Sequence, residues 1–261
     1  MSQIRRRLDD LKAARTPALS NPVSRGPVAT RLDEIIGGRE SRCGGLAYWL
    51  VETPLEAINT PHQIEPESLA FPFRHESGPG RPVTIDPHRT LVLDVETGGF
   101  AGVPVFLIGL VLLGRRPLSV LQLLARDYPE EEAILRALAE LTGSRDTWVT
   151  FNGKSFDEPF LRDRATLHRV PFRAPRTHVD LLHAARRVWR HQLPNFRLGT
   201  LEDRILRRPR VGDIPSSDVP DLFHHFIRTG NAAPLRPVLE HNRIDLISVT
   251  ELLLRLSAGR G

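Results

Sequence analysis

A regular pattern of apolar and polar residues begins near residue 89 and continues almost to the end of the chain. Three runs of apolar residues, separated by polar or glycine-containing turns, predict three consecutive strands. A helix, a fourth strand, a second helix and a short fifth strand follow, and the pattern after that is mainly helical. The predicted elements are strands at Thr90–Glu96, Val105–Leu113 and Ser119–Leu124, a helix at about Pro129–Leu141, a strand at Thr147–Phe151, a helix from Phe156, a strand at Thr177–Asp180 and a final helix at Leu235–Leu256.

This order of elements predicts an α/β fold with a mixed β-sheet and helices on its faces. The first 88 residues have a different character. The segments "RTPALSNPVSRGPVAT" and "FPFRHESGPGRPVTIDPH" are rich in Pro, Gly and Ser and lack periodicity, as is typical of linkers. Between them, "GGLAYWLVE" predicts one short strand. We therefore expect an irregular N-terminal extension at residues 1–88 and a folded domain at residues 89–258.

The composition is that of an ordinary globular protein, with 40% hydrophobic and 26% charged residues among 261. The longest apolar run, at residues 103–113, is shorter than the roughly 20 residues that a membrane helix needs. The basic residues near the N-terminus are not followed by the apolar segment of a secretory signal. A lone cysteine, Cys43, cannot form an internal disulfide. These features predict a cytoplasmic protein without membrane contact.

The net charge of +5 is compatible with a polyanionic partner such as nucleic acid. However, only Lys12 and Lys154 are lysines, and the other 34 of the 36 basic residues are arginine. A genome that favours arginine codons would give the same composition. The charge therefore does not identify the partner by itself.

An acidic pair follows the first predicted strand in "TLVLDVETGGF". Residues two apart in a strand share a face, so Val92, Asp94 and Glu96 should point one way. Both carboxylates then leave the carboxyl end of a buried strand, where open α/β sheets usually bind ligands. The alternative is a strand end that simply emerges into solvent.

A second acidic residue, Asp157, is expected in the first turn of the helix that follows "TWVTF". Asn152-Gly153 predicts the turn, and Ser155 with Glu158 three residues later predicts a capping box. Asp157 shares a helix face with Leu161, so its carboxylate should face the core and need a partner. Its alternative role is to complement the helix dipole.

A third acidic position lies in "LEHNRIDLISV" within the last helix. His241 and Asp245 are four residues apart and therefore lie on one helix face. The alternative interpretation is an ordinary ion pair along the helix. No phosphate-binding glycine loop, nucleophile elbow or histidine-cysteine cluster is found elsewhere.

The order of these acidic motifs resembles that of the DEDD 3′-5′ exonucleases of the ribonuclease H-like fold. The segments "FNGKSFD", "HVDLLHAARRVWRH" and "LEHNRIDLISV" are similar to those of the YprB-like ribonuclease H-like family. The resemblance covers residues 89–256. It implies a ribonuclease H-like mixed sheet and a 3′-5′ exonuclease that hydrolyses phosphodiester bonds.

The resemblance also implies the roles of individual residues. Asp94, Glu96, Asp157 and Asp245 would be the four carboxylates, and His241 the general base. A histidine four residues before the last aspartate occupies the spacing at which tyrosine-type members of the wider group carry tyrosine. Four carboxylates would balance two divalent cations, and all-oxygen ligation suits Mg²⁺ or Mn²⁺. Asp94 would bridge both ions, Glu96 and Asp245 would hold the ion carrying the attacking water, and Asp157 would support the other.

Single-stranded DNA or RNA is the expected partner, and protein partners stay open. Arginine for phosphate and aromatic side chains for bases are what a single-strand channel requires. An ordinary amphipathic helix with arginine outside is the alternative, and "RRPR" at residues 207–210 is expected to be a solvated loop. Two other functions remain open, a nucleic-acid-binding module without turnover and a scaffold subunit that recruits a partner through its N-terminal extension. The candidate substrate-binding residues are Asn152, Lys154, Arg186, Arg187, Trp189 and Arg190.

Overall fold

The computed structural model describes residues 32–55, 73–76, 82–99 and 102–257. Within these ranges the chain forms β-strands and α-helices as follows. The strands are β1 (Arg39–Cys43), β2 (Leu46–Pro54), β3 (Phe73–Glu76), β4 (Pro82–Ile85), β5 (Thr90–Thr97), β6 (Val105–Leu112), β7 (Ser119–Leu124), β8 (Thr147–Thr150) and β9 (Thr177–Asp180). The helices are α1 (Leu32–Ile36), α2 (Glu131–Thr142), α3 (Asp157–Leu167), α4 (Leu181–Trp189), α5 (Leu198–Arg204), α6 (Val219–Thr229) and α7 (Leu235–Ser257).

Seven of the strands form one mixed sheet in the order β1-β2-β7-β6-β5-β8-β9. Neighbours from β1 through β5 pair antiparallel, whereas β8 and β9 continue the sheet in parallel. Every residue of β6 is buried, which explains why its sequence is a continuous apolar run. Both faces of the sheet carry helices, so the prediction of an α/β fold is confirmed.

The sequence predicts one short strand in the N-terminal region. That prediction is wrong, because the structure has more than one strand there. β1 and β2 form a hairpin whose turn contains Gly44 and Gly45, both with positive φ. β2 then pairs with β7 and extends the main sheet. β1 lacks an apolar pattern because it is an edge strand with mostly exposed residues. A domain boundary at residue 89 stays a prediction.

The segment interpreted as a second linker also contains structure. β3 and β4 lie inside it and pair with each other as a separate two-stranded antiparallel sheet. The first linker-like segment, residues 15–30, lies outside the described residues.

Two hydrophobic clusters lie on opposite faces of the sheet, and β5 shows the alternation between them. Leu91 and Leu93 belong to the cluster that includes residues of α2, α3 and α6. Val92 belongs to the other cluster, with residues of α4, α5 and the second half of α7. The predicted face of Val92, Asp94 and Glu96 therefore looks toward α7.

No helix in the described part of the chain combines the length and the apolar character that crossing a membrane requires.

Candidate active site

Asp94 lies where β5 changes from buried to half-buried residues. Among the described residues, β8 pairs only with Thr90, Leu91 and Val92 of β5, so in this part of the structure no strand lies beside β5 on that side beyond Val92. On the other side the β5–β6 register shifts between Glu96 and Thr97. The end of β5 therefore lies at an opening in the sheet, as the predicted position of the acidic pair requires.

Asp157 fills part of the open side of β5. It is the first residue of α3 and is 8% exposed. The backbone N–H of Val95 donates to Asp157 Oδ1 at 3.2 Å, which joins the second acidic motif to the first strand. The predicted inward orientation of Asp157 is therefore found, but the predicted capping box is wrong. Phe156 is the N-cap of α3, and it forms no side-chain cap hydrogen bond.

The turn before α3 is held by Asp180 instead. Asn152 adopts a left-handed conformation (φ 67°), which asparagine tolerates well. The Asp180 carboxylate accepts hydrogen bonds from the backbone N–H groups of Asn152 (2.8 Å) and Lys154 (3.2 Å). It also accepts from Leu182 N–H at 3.0 Å and so caps α4. Asp180 thereby links the turn, the end of β9 and the helix that carries the candidate arginines.

Asp94 is oriented by a buried amide network that sequence reasoning did not identify. Asn242 Nδ2 donates to Asp94 Oδ2 at 2.8 Å, and Gln122 Nε2 donates to Asn242 Oδ1 at 2.9 Å. Asn242 is fully buried on α7 and reaches β5 only because Gly109 lies opposite it. A Cβ atom at Gly109 would lie 2.2 Å from Asn242 Oδ1. The sequence signal was the asparagine inside "EHNRID", although no spacing rule assigns it a role.

Asp245 is held by Arg210, from a segment predicted to be a solvated loop. That prediction is wrong, because the Arg208 and Arg210 side chains are only 11% and 15% exposed. Arg210 Nη2 donates to Asp245 Oδ1 and to Glu202 Oε1, the latter at 2.7 Å. Arg210 Nε donates to the other oxygen of Glu202, which is 1% exposed on α5. Glu202 and Arg210 were missed because neither belongs to a periodic acidic pattern.

His241 lies one turn before Asp245 on α7 and is 6% exposed. Its Nδ1 is 2.9 Å from Asp213 Oδ1, and a carboxylate can only accept, so Nδ1 carries the proton. In the neutral ring Nε2 is then an acceptor, and it lies 3.3 Å from Ser216 Oγ. Asp213 was not identified from the sequence. Asp213 and Ser216 belong to the loop that carries Arg210, so one loop contacts both candidate residues of α7.

The four carboxylates have raised pKa values, as is typical of a site that binds positive charge. Burial raises the pKa of Glu96 to about 8 and that of Asp157 to about 7, with neighbouring carboxylates adding to both shifts. Burial and the charges of Asp245, Glu96 and Asp157 raise the pKa of Asp94 well above its usual range. Burial also raises the pKa of Asp245, against the opposing charge of Arg210. Because the charges of neighbouring carboxylates contribute to these pKa shifts, the carboxylates must lie close together.

In the loop that carries Arg210 and Asp213, hydrogen bonds instead stabilise the charged forms of the side chains. Burial raises the pKa of Asp213, but hydrogen bonds from Arg210 and His241 outweigh it and lower that pKa below its usual value. Burial alone would lower the pKa of Arg210, yet its bonds to Glu202 and the charge of Asp245 raise it. Arg210 and Asp213 therefore both stay charged.

A cleft of about 400 Å³ adjoins the carboxylates and contains part of the predicted substrate-binding set. Asp94, Asp245, Asn152 and Arg186 line it, together with apolar and basic residues that the prediction did not include. These additional residues are Phe151, Leu182, Phe196, Arg197 and Leu198.

The other predicted substrate-binding residues have different positions. Lys154, Arg187 and Arg190 are exposed but do not line this cleft. Trp189 is 1% exposed and packs in the hydrophobic core, so the interpretation of its ring as a stacking surface is wrong. Trp189 lies four residues after the buried Ala185, on the apolar face of α4. That spacing was a signal of burial.

The donor chemistry of the four carboxylates fits a hard divalent cation such as Mg²⁺ or Mn²⁺. Their arrangement is not closed around an ion. Among the described residues, no group of three or more His, Cys, Asp or Glu side chains could hold a metal ion as it stands. The residues fit such an ion in donor chemistry, while Arg210 and Asn242 each bind one oxygen, of Asp245 and Asp94 respectively.

Comparisons with known proteins agree with this fold. The family model of the RNase_H superfamily matches residues 91–257. The chain is 36% identical over 170 residues to YprB of Bacillus subtilis (strain 168), an uncharacterized protein, in a match that covers 63% of this chain and 41% of YprB. It is also similar to the family B DNA polymerase of the hyperthermophilic archaeon Pyrobaculum calidifontis, with a TM-score of 0.53 and 17% identity. That match covers 64% of this chain and 24% of the polymerase, so in both cases the chain spans less than half of the relative's length.

Proposed function

Since the chain belongs to the RNase_H superfamily, which generally uses divalent metal ions, we propose that it is a metal-dependent nuclease that hydrolyses phosphodiester bonds of single-stranded nucleic acid. The observation that carries the proposal is that Asp94 and Asp245 line one cleft with two arginines, while Asp157 is hydrogen-bonded to the strand that carries Asp94 and Glu96. The raised pKa values of these carboxylates agree with this arrangement. Such a cluster is costly unless positive charge binds to it. In a nuclease, bound metal ions provide this positive charge and stabilise the phosphate of the substrate.

Asp94, Glu96, Asp157 and Asp245 would hold two Mg²⁺ or Mn²⁺ ions. Two such ions, when bound, supply Lewis-acid stabilisation of the phosphate and lower the pKa of water. Asn242 keeps one oxygen of Asp94 fixed, and the Val95 N–H does the same for Asp157. His241 Nε2 is the proton acceptor in this proposal, because Asp213 holds the proton on Nδ1.

The cleft supports a role in binding the substrate strand. Arg186 and Arg197 can contact phosphates, and Phe151 and Phe196 offer apolar surface to a base. Its volume of about 400 Å³ lies near the lower end of ligand sites, roughly 300–1,000 Å³. The similarity of motif order to the DEDD exonucleases supports 3′-5′ removal of terminal nucleotides.

A gel assay with 5′-labelled strands tests this proposal. Linear single-stranded DNA and RNA are incubated with the full chain and Mn²⁺, beside a covalently closed circle and the variant Asp94→Asn. We expect a ladder that shortens from the 3′ end, survival of the circle, and no cleavage by the folded variant. Cutting of circles at a comparable rate would instead identify an endonuclease. Full activity in Asp94→Asn or in excess chelator would refute the metal-dependent mechanism.

The same assay separates two other functions. A binding module without turnover would retain labelled strands on the protein but leave them intact. A scaffold that works through the first part of its N-terminal extension would lose its role when residues 1–31 are removed, whereas a nuclease that keeps β1 and β2 in its sheet would keep its activity. The choice between DNA and RNA comes from the assay itself, and the cytoplasmic location stays a prediction.

A further inference from the structure

The loop between α5 and α6, residues 205–218, places one guanidinium among three carboxylates. Arg210 binds both oxygens of Glu202 through Nε and Nη2, in the bidentate geometry that arginine forms best. Its Nη1 donates to Asp213 Oδ2 at 2.7 Å. The third carboxylate is Asp245, bound through the Nη2 group that also serves Glu202. Arg210 is therefore anchored in its own part of the chain and reaches the candidate metal ligand with one N–H group.

Asp245 cannot keep this contact unchanged when a divalent cation binds it. The guanidinium and the cation would compete for carboxylate oxygens, and two positive charges a few ångströms apart repel each other strongly in a half-buried site. Glu202 and Asp213 would still hold Arg210 after it left Asp245, because three of its four hydrogen bonds to carboxylates do not involve that residue. Displacement of Arg210 therefore requires the loss of one contact and not the unfolding of the loop.

We propose that Arg210 is the internal counter-ion of the carboxylate site, and that a divalent cation binds Asp245 only by displacing its guanidinium. The inference rests on the proposed function, in which Asp245 is a metal ligand. It assigns Arg210 a direct effect on metal loading, whereas the loop would otherwise have only a packing role. Arg210 would weaken the binding of the ion held by Asp245 and Glu96 more than that of the other ion.

Arg208, two residues earlier in the loop, provides an internal comparison. It is as deeply buried as Arg210 and forms an ion pair with Glu251 of α7. Glu251 lies six residues beyond Asp245 and is not one of the candidate ligands. The loop therefore contains two buried arginines that pair with carboxylates, and of these two only Arg210 contacts a candidate ligand.

The experiment measures metal binding by the metal-free full chain without any nucleic acid. Mn²⁺ is titrated calorimetrically, free Mn²⁺ is followed by electron paramagnetic resonance, and thermal unfolding is recorded with and without Mn²⁺. The test variant is Glu202→Gln with Arg210→Met, so that the Glu202 carboxylate, 1% exposed, is not left buried without its arginine. The matched control is Arg208→Met with Glu251→Gln. Wild type and Asp245→Asn complete the set.

In the test variant we expect Mn²⁺ to bind about tenfold more tightly or better, because the guanidinium that binds Asp245 has been removed. Its Tm should be lower than that of wild type without metal, and the increase in Tm on adding Mn²⁺ should be larger. The control should lose Tm as well, with Mn²⁺ affinity within about twofold of wild type, since that ion pair includes none of the four candidate ligands.

Equal or weaker Mn²⁺ binding in the test variant would overturn the inference. If that variant does not fold, Arg210→Lys takes its place, because a single ammonium cannot hold Glu202 and Asp245 as a fork does. It should bind Mn²⁺ more tightly than wild type, and equal or weaker binding would again overturn the inference. Asp245→Asn that binds Mn²⁺ as well as wild type would instead refute Asp245 as a ligand, which is a failure of the proposed function.

Discussion

Asp94 and Asp245 line the same cleft, but the protein holds them in different ways. Asp94 receives a neutral amide donor from Asn242, which is fully buried and is itself oriented by Gln122. Asp245 receives the charged guanidinium of Arg210 from a loop. The first contact joins β5 to α7, whereas the second comes from the loop between α5 and α6.

The difference shows two physical solutions for buried carboxylates that lie close together. A neutral donor fixes one oxygen and leaves the negative charge available to a cation, so it prepares a ligand. A guanidinium neutralises the charge and stabilises the metal-free protein, but it must yield to the cation. Asp94 is therefore already oriented to bind a cation, whereas Asp245 is paired with the Arg210 guanidinium.

The largest expected effect concerns His241, on the side that the loop contacts. His241→Ala should lower the single-turnover rate by about 10²–10⁴-fold, which is typical for loss of a general base. Binding of Mn²⁺ and of the nucleic acid should survive, because His241 is not one of the four carboxylates. Single-turnover rates across pH, with the exposed His183→Ala as control, provide the measurement. A folded variant within about threefold of wild type at every pH would mean that another group takes the proton.

A smaller effect is expected on the Asp94 side. Asn242→Leu removes the amide that holds Asp94 Oδ2, and loss of such a supporting contact commonly costs about 10- to 100-fold in metal affinity or activity. Mn²⁺ titration of the folded variant checks this. Gly109→Ala should act in the same direction, because its new Cβ would collide with Asn242.

Ser248→Ala is the control for that comparison. Ser248 is fully buried on the same helix, and its hydroxyl has no hydrogen-bond partner within the part of the chain that the structure describes. Its removal should leave Mn²⁺ affinity unchanged. Equal Mn²⁺ affinity in Asn242→Leu and wild type would show that Asp94 needs no neutral support.

Stability as a function of pH should reveal the cost of the crowded carboxylates. Folding raises the pKa of Glu96 to about 8 and that of Asp157 to about 7, so between about pH 5 and 8 the folded protein binds protons that the unfolded chain does not. The metal-free protein should therefore become more stable as pH falls from about 8 to 6, by at most about 1.4 kcal/mol per pH unit for each group. Urea unfolding at several pH values measures the slope.

Two changes should reduce that slope. Saturating Mn²⁺ should do so because the cation keeps the carboxylates ionised in the folded state. Glu96→Gln should do so because one titrating group is gone. A metal-free stability that rises with pH over this range would contradict the electrostatic description of the site.

The smallest effect concerns the arginines of α4. Replacing one phosphate-contacting arginine should reduce the salt slope of single-strand binding by about 0.7. Arg186 lines the cleft, so Arg186→Ala should show this change most clearly, followed by Arg187→Ala and Arg190→Ala. Binding isotherms at several salt concentrations give the slopes, with Arg162→Ala on α3 as control. An unchanged slope in the triple variant would make this face an ordinary solvated helix surface.

Local pattern was sufficient for most of the domain after residue 89. The continuous apolar run of β6 predicted a strand, and the alternation along β5 predicted the shared face of Asp94 and Glu96. Local pattern failed for β1, because a mostly exposed edge strand needs no apolar alternation. It also failed at α3, where the side chains of Ser155 and Glu158 satisfied a capping rule that the helix does not use.

By itself the sequence determined the α/β architecture and the three acidic motifs, because strand and helix periodicity depend on neighbouring residues. Only the tertiary structure decided which groups hold those acids. Arg210 meets Asp245 across 35 positions, and Asn242 meets Asp94 across 148. Such contacts depend on how the sheet, α7 and the loop before α6 pack together, and no short-range spacing encodes them. The same packing turned Arg210, an arginine in an apparently polar loop, into a buried charge at the centre of the site.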